Sequence, residues 1–148
     1  QGANAEDYIL DDGDILLNFI NSMSQIGKTC IFKNIGRPSI YTTNIFRIKV
    51  ALNYDSVFIH QVMVSDKFQT EIQLISKPAV NQASFTKQDL IKVQIPLPPL
   101  PEQQKIVSIL TSIYNHIEEK QRKLNQTQSL KKSLMQDLLT GKVRVTVN

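Results

Sequence analysis

The sequence predicts an α+β fold: a small mixed or antiparallel sheet domain with one main helix, followed by a long C-terminal coiled-coil-forming helix. Three observations carry this reading. Between Ile15 and Val50, short apolar runs rich in strand formers alternate with turn residues. From Asp55 to Ile75 the apolar spacing changes to that of a helix. From Glu102 to Leu139 neither proline nor glycine occurs, directly after the proline-rich stretch Ile95–Pro101. The implied division is a globular part over 1–95, a connector over 96–101, a helix over 102–140 and a tail over 141–148.

Each element has a local reason. Tyr8-Ile9-Leu10 reads as a strand edge running into the turn Asp11–Asp14, where Gly13 supplies the positive φ that a tight turn requires. Ile15 to Ile20 is a strand. Asn21 to Gly27 is a polar hairpin tip, and Lys28 to Lys33 returns as the second strand. After the turn Asn34–Ser39, Thr43 to Val50 alternates as a third. Val57, Phe58, Val62, Met63, Phe68, Ile72 and Ile75 suit one helix of about five turns, with Asp55 as its N-cap. Pro78 ends that segment and Asn81–Ser84 is a polar loop. Thr86 with Asp89 resembles a capping box opening a short turn, and Ile91 to Ile95 alternates as a final strand.

Pro96, Pro98, Pro99 and Pro101 lack backbone donors and hold the connector extended. Pro101 fits the first turn of a helix, where no N–H is needed, and Glu102 places negative charge at the positive end of the helix dipole. The helix that follows spans about 39 residues, roughly 60 Å. Ile106, Leu110, Ile113, Ile117 and Leu124 keep coiled-coil spacing, interrupted at Lys120. The stripe turns polar at Thr127 and Gln128 and resumes at Leu130, Leu134, Leu138 and Leu139, before Gly141 as a C′ stop. A globular part of about 95 residues is too small to bury so long a stripe. The stripe therefore calls for a partner helix, within a longer chain or from a second copy. Lys142 to Val147 alternates as a short strand or tail.

Composition narrows the class. The net charge is +4 over 148 residues. Residues 1–14 hold five acids and no base, whereas residues 28–92 hold nine bases and four acids. A basic body points toward nucleic acid. The single cysteine, Cys30, leaves no internal disulfide framework and fits a reducing cytoplasm. No apolar run reaches the roughly 20 residues of a membrane span, so no membrane partner is expected.

Three segments together identify a family. Gly13-Asp-Ile-Leu-Leu17 with Ile26-Gly-Lys28 is similar to the GDIL…(I/V)G(K) segment of the DNA-specificity subunits of type I restriction-modification systems. Ile95-Pro-Leu-Pro-Pro-Leu-Pro-Glu-Gln103 resembles that family's proline-rich junction, and Leu134-Met-Gln-Asp-Leu-Leu-Thr-Gly141 its helix ending. The resemblance implies that residues 1–95 are most of a target recognition domain, lacking its N-terminal strands, and that the helix is the conserved spacer. It implies one recognition unit where full-length members carry two, and hence a fragment or a half-subunit. The implied partners are double-stranded DNA, methyltransferase subunits docked on the helix, restriction subunits through the complex, and a second spacer helix. It implies no cofactor on this chain; S-adenosylmethionine, Mg²⁺ and ATP belong to the partner subunits, which carry methylation and cleavage.

Candidate DNA-binding residues follow from side-chain chemistry. Asn21, Ser24, Gln25 and Lys28 gather amide, hydroxyl and ammonium groups on one hairpin tip, where amides can read adenine and lysine can reach guanine or phosphate. Arg37, Arg47 and Lys49 are candidate phosphate contacts. Gln82, with Asn81 and Ser84, forms a second polar loop. Ile106, Leu110, Ile113, Ile117, Leu124, Leu134 and Leu138 are the candidate helix-pairing interface.

Enzyme readings find little support. His60 and His116 are the only histidines and share no metal-ligand spacing. Cys30 has no evident base. Glu118-Glu-Lys120 imitates a nuclease motif but lies mid-helix beside Arg122 and Lys123, as a solvated charged face would. No catalytic or metal site is expected. The rival class is a coiled-coil adaptor whose α+β head binds protein, which would show no salt-sensitive, sequence-dependent DNA binding.

Overall fold

The apolar run Ile15–Ile20 serves two sheets. In the computed structural model, which describes residues 5–146, Ile15–Asn18 forms β1 and Ile20–Asn21 forms β2. Thr29–Ile31 (β3) and Ile45–Ile48 (β4) flank β1, both antiparallel. The register sets Ile15 opposite Ile31 and Ile48, and Leu17 opposite Phe46. Strand alternation then sends Ile15 and Leu17, both fully buried, to the core face. Burying each contributes about 1.5–3 kcal/mol.

Phe19 is the pivot between the sheets. Its N–H donates to the Asn44 carbonyl at 3.2 Å and its carbonyl accepts from the Phe85 N–H at 3.3 Å. Its ring stacks on Phe46 at 3.8 Å between centroids, and Phe85 meets both rings edge-on. The second sheet orders as β2, then Gln82–Ser84 (β6), then Lys77–Ala79 (β5). The expected polar loop Asn81–Ser84 is thus one turn residue, Asn81, followed by strand. Asn81 takes φ +65°, which closes a two-residue turn. Pro78 is tolerated because β5 is an edge strand.

The expected helix over Asp55–Ile75 is two helices, Ser56–Val64 (α1) and Asp66–Ile75 (α2). Asp55 caps the first, accepting from the Phe58 N–H at 2.9 Å. Ser65, at ψ 149°, ends one helix and starts the next. Its hydroxyl donates to the Val62 carbonyl at 2.6 Å and accepts from the Phe68 N–H at 3.4 Å, the competition by which serine breaks helices. Two further expectations need correction. Ala5–Tyr8 is a 3₁₀ turn, and only Ile9 pairs, in an isolated bridge to Ile40. Ile91–Ile95 forms no strand: after Lys87–Leu90 (α3), with its Thr86–Asp89 capping box, the chain runs irregularly to Pro99. Val93 and Ile95 still pack against the core, so their alternation records burial without a neighbouring strand.

The last helix, Leu100–Leu139 (α4), begins with Pro101 and Glu102 in its first turn. Gly141, at φ +73°, closes it, donating to the Leu138 carbonyl at 3.2 Å. No strand follows among the described residues, and Val147 lies outside them. The architecture is α+β. Contacts divide the chain into two units, Gln1–Val107 and Ser108–Asn148, with the boundary inside α4. Within the first, Phe58, Ile59, Met63, Phe68 and Ile72 of α1 and α2 cover Ile15, Leu17, Ile26, Ala83 and Phe85. Within the second, Ile113, Ile117, Leu124, Leu130, Leu134 and Leu138 are all exposed. No helix among the described residues is long and apolar enough to cross a membrane.

Candidate nucleic-acid interface

The loop between β2 and β3 has a fixed base and an open tip. Asn21 is held in the β2–β6 ladder opposite Ala83, and its carboxamide oxygen accepts from the Ser22 N–H at 2.8 Å. The Ser22 carbonyl accepts from both Gln25 and Ile26 N–H groups at 2.9 Å, closing a tight turn. Ile26 then plunges into the core at 3% exposure. Gly27, at φ +81°, donates to the Asn18 carbonyl at 2.8 Å. A Cβ there would lie 2.7 Å from Ile72 Cγ2, so the backbone approach demands glycine. Between these anchors Met23, Ser24 and Gln25 are exposed, as is Lys28 just beyond Gly27.

Gln69 of α2 completes the base. Its carboxamide nitrogen donates to the Gly27 carbonyl at 2.9 Å and to the Met63 carbonyl at 2.7 Å. The break at Ser65 leaves that Met63 carbonyl at the end of α1, where no helical N–H follows. One amide thus ties the loop to the ends of two helices. The tip is presented on a rigid scaffold, the arrangement that favours precise recognition.

The antiparallel β2–β6 register brings the second polar segment to the same end of its sheet. Asn21 pairs with Ala83, so Gln82 and the Val80–Asn81 turn lie beside the start of the Ser22–Lys28 loop. Gln82, Asn81 and Val80 are exposed. The register therefore sets Asn21 and Gln82 beside the start of the loop that carries Ser24, Gln25 and Lys28.

The basic candidates divide. Arg47, with only 14% of its side chain exposed, donates through Nε to Asp14 at 2.6 Å and through a terminal nitrogen to Asp11 at 2.8 Å. Lys49 reaches the same Asp11 oxygen at 2.8 Å. Lys49 and then Arg47 hold the Asp11 carboxyl below its ordinary value. Both cations are thus engaged in bracing the Asp11–Asp14 turn, which leaves Arg47 little surface for a phosphate. Arg37, by contrast, is exposed on the Asn34–Ser39 turn. That turn is braced by Asp12, which accepts from the Asn34 N–H at 2.7 Å, and by Asn34, which accepts from the Gly36 N–H at 2.8 Å.

The junction motif has a structural centre that its residue types alone did not reveal. Gln103 is fully buried. Its oxygen accepts from the Asp55 N–H at 2.9 Å, and its nitrogen donates to the Pro98 carbonyl at 2.7 Å. The start of α1 and the proline connector are pinned to the first turn of α4 by one side chain. A glutamine following Pro-Glu was the available signal; its burial was not readable. Gln69 gave still less, being one of several polar residues on an amphipathic helix.

The helix stripe also divides. Ile106 and its neighbour Val107 pack against the first unit's core, so Ile106 serves that core. Leu110 is half-buried, whereas Ile113, Ile117, Leu124, Leu134 and Leu138 stand open, at 44–59% exposure.

A family model for the type I restriction modification DNA specificity domain matches residues 3–128. The chain is 32% identical over 136 residues to a protein of Methanocaldococcus jannaschii described as the type I restriction enzyme MjaX specificity subunit. It is 33% identical over 142 residues to the MjaVIII specificity subunit of the same organism. These alignments cover 90% and 93% of this chain, and 32% of each relative. The chain spans about a third of the length of the curated relatives it matches.

Proposed function

The chain belongs to the type I restriction-modification DNA specificity family, and from that membership we propose that it is a non-catalytic module that reads DNA sequence. The single observation that carries this is the loop Ser22–Lys28: an exposed tip of hydroxyl, amide and ammonium groups on a base fixed by Ile26, Gly27 and Gln69. Gln25 has the donor and acceptor pair that can bond adenine in the major groove, and Lys28 reaches guanine or phosphate. Gln82 and Asn21 flank the tip, and Arg37 supplies a phosphate contact.

In this reading the target recognition domain occupies residues 1–95, the connector 96–101 and the spacer helix 102–140. The module reads one half of a bipartite target. The open stripe Ile113–Leu138 pairs with a second spacer helix, from a longer chain or a second copy, and α4 docks the methyltransferase subunit. S-adenosylmethionine, Mg²⁺ and ATP act on the partner subunits.

The test is selection from randomised duplex DNA by the assembled complex, with and without Gln25→Ala combined with Lys28→Ala. The expected result is a defined target whose preference relaxes at particular positions in the double variant. Identical preferences for both would overturn the assignment of the loop. Absence of any preference in the unaltered complex would overturn DNA reading itself.

A further inference from the structure

Base reading by a loop demands that the tip be held in one register, because each bidentate contact tolerates little displacement. The tip's backbone is closed by its own turn bonds, and it is fixed to the body at Asn21, in the β2–β6 ladder, and along the short segment Ile26–Lys28. The Ile26 side chain is anchored by apolar packing, which is non-directional, and its N–H bonds within the loop to the Ser22 carbonyl. Directional restraint comes from the Lys28 carbonyl, which accepts from the Asn18 N–H at 3.0 Å, and from Gly27, whose N–H is held by the Asn18 carbonyl and whose carbonyl is held by Gln69. Gln69 in turn is oriented by its second bond, to the Met63 carbonyl. Its oxygen lies 3.1 Å from where a Gly27 Cβ would stand, so side chain and glycine are fitted to each other.

We propose that Gln69 is a positioning residue for sequence discrimination: its bridge between Gly27 and the end of α1 sets the register of the Ser22–Lys28 tip. Gln69 contacts no DNA in this scheme. It acts through Gly27, and the proposal rests on the loop being the reading element. Removing the carboxamide donors frees the Gly27 carbonyl, letting the tip sample several registers. Discrimination between bases then falls, while the charge that provides non-specific attraction is unchanged.

Gln69→Met, which keeps length and loses both donors, tests this in the assembled complex; Gln69→Leu, also neutral and without donors, is the second variant should the first fail to fold. Preferences are read by randomised-duplex selection. Affinity for non-specific DNA is measured against salt, and backbone amide exchange is followed at Ile26, Gly27 and Lys28. The expected result is about a tenfold fall in discrimination at one or two base positions, the scale of losing one good base contact. Exchange at the three amides should quicken, with an unchanged salt slope. A residue that served stability alone would leave the base preferences of the folded fraction untouched. Unaltered preferences with an otherwise discriminating complex would overturn the role of Gln69. A complex with no sequence preference before substitution would overturn the loop-reading assignment, and this inference with it.

Discussion

Gln103→Ala removes the clamp at the start of α4, and its consequence can be worked from two hydrogen bonds. The Asp55 N–H loses an acceptor at 2.9 Å and the Pro98 carbonyl loses a donor at 2.7 Å, both from a side chain with no exposed surface. Leaving a buried polar group unsatisfied costs about 1–3 kcal/mol. Two such groups, partly rehydrated through the space left behind, give an expected loss of about 3 kcal/mol. For a folding unit of this size that lowers the thermal midpoint by roughly 12 °C. The control is Gln104→Ala, the next residue and exposed, which should shift stability by no more than about 0.5 kcal/mol. The assay is equilibrium unfolding in urea, followed by far-ultraviolet circular dichroism for both variants. A Gln103→Ala chain within about 1 kcal/mol of the Gln104→Ala chain would refute the reasoning, since an exposed-site change spans that range.

Other outcomes follow from the same geometry. Gly27→Ala forces a side chain into left-handed backbone and against Ile72, and should destabilise by about 2–4 kcal/mol. Gly36→Ala, at φ +77° but with open space around it, should lose only about 1–2 kcal/mol in the same melt. Asp11 titrates below its ordinary 3.8 because Lys49 and Arg47 favour its charged form. Its stabilising contribution is therefore present above about pH 4 and disappears as pH falls through the lowered value. Carboxyl titration by NMR should show Lys49→Ala moving that midpoint upward, and an unmoved midpoint would count against the ion pair. Ile113→Asp with Ile117→Asp should abolish helix pairing while leaving the first unit folded. Sedimentation reads this as a loss of mass; a mass identical to that of the unaltered protein would argue that the stripe pairs with nothing.

The parts of the fold visible in the sequence were those fixed by local chemistry. Asp55 and Thr86 cap where their side chains can accept from the following turn, Gly13 and Gly141 take positive φ, and Pro101 starts the long helix. What stayed hidden depends on neighbours far along the chain. The hairpin Lys77–Ser84 joins a three-stranded sheet through the pairing of β6 with β2, and Ile91–Ile95 packs on the core without becoming strand. The helix break at Ser65 turns on one hydroxyl that could equally have faced solvent. The same division applies at the site. The polar tip was legible by composition. Arg47 and Lys49 read as candidate phosphate contacts, and their ion pairs were hidden because the acids that engage them stand more than thirty residues away. Gln69 and Gln103 gain their roles only from the carbonyls that folding brings to them.

In the proposed function the Ser22–Lys28 tip touches bases. A photoreactive side chain installed at position 25 of the assembled complex, bound to selected duplex DNA and irradiated, tests it most directly. Efficient cross-links that map to one or two bases within the selected target are expected. A probe at position 114 on α4 should give none at base positions. Cross-links absent from position 25, or spread evenly along the backbone, would contradict it.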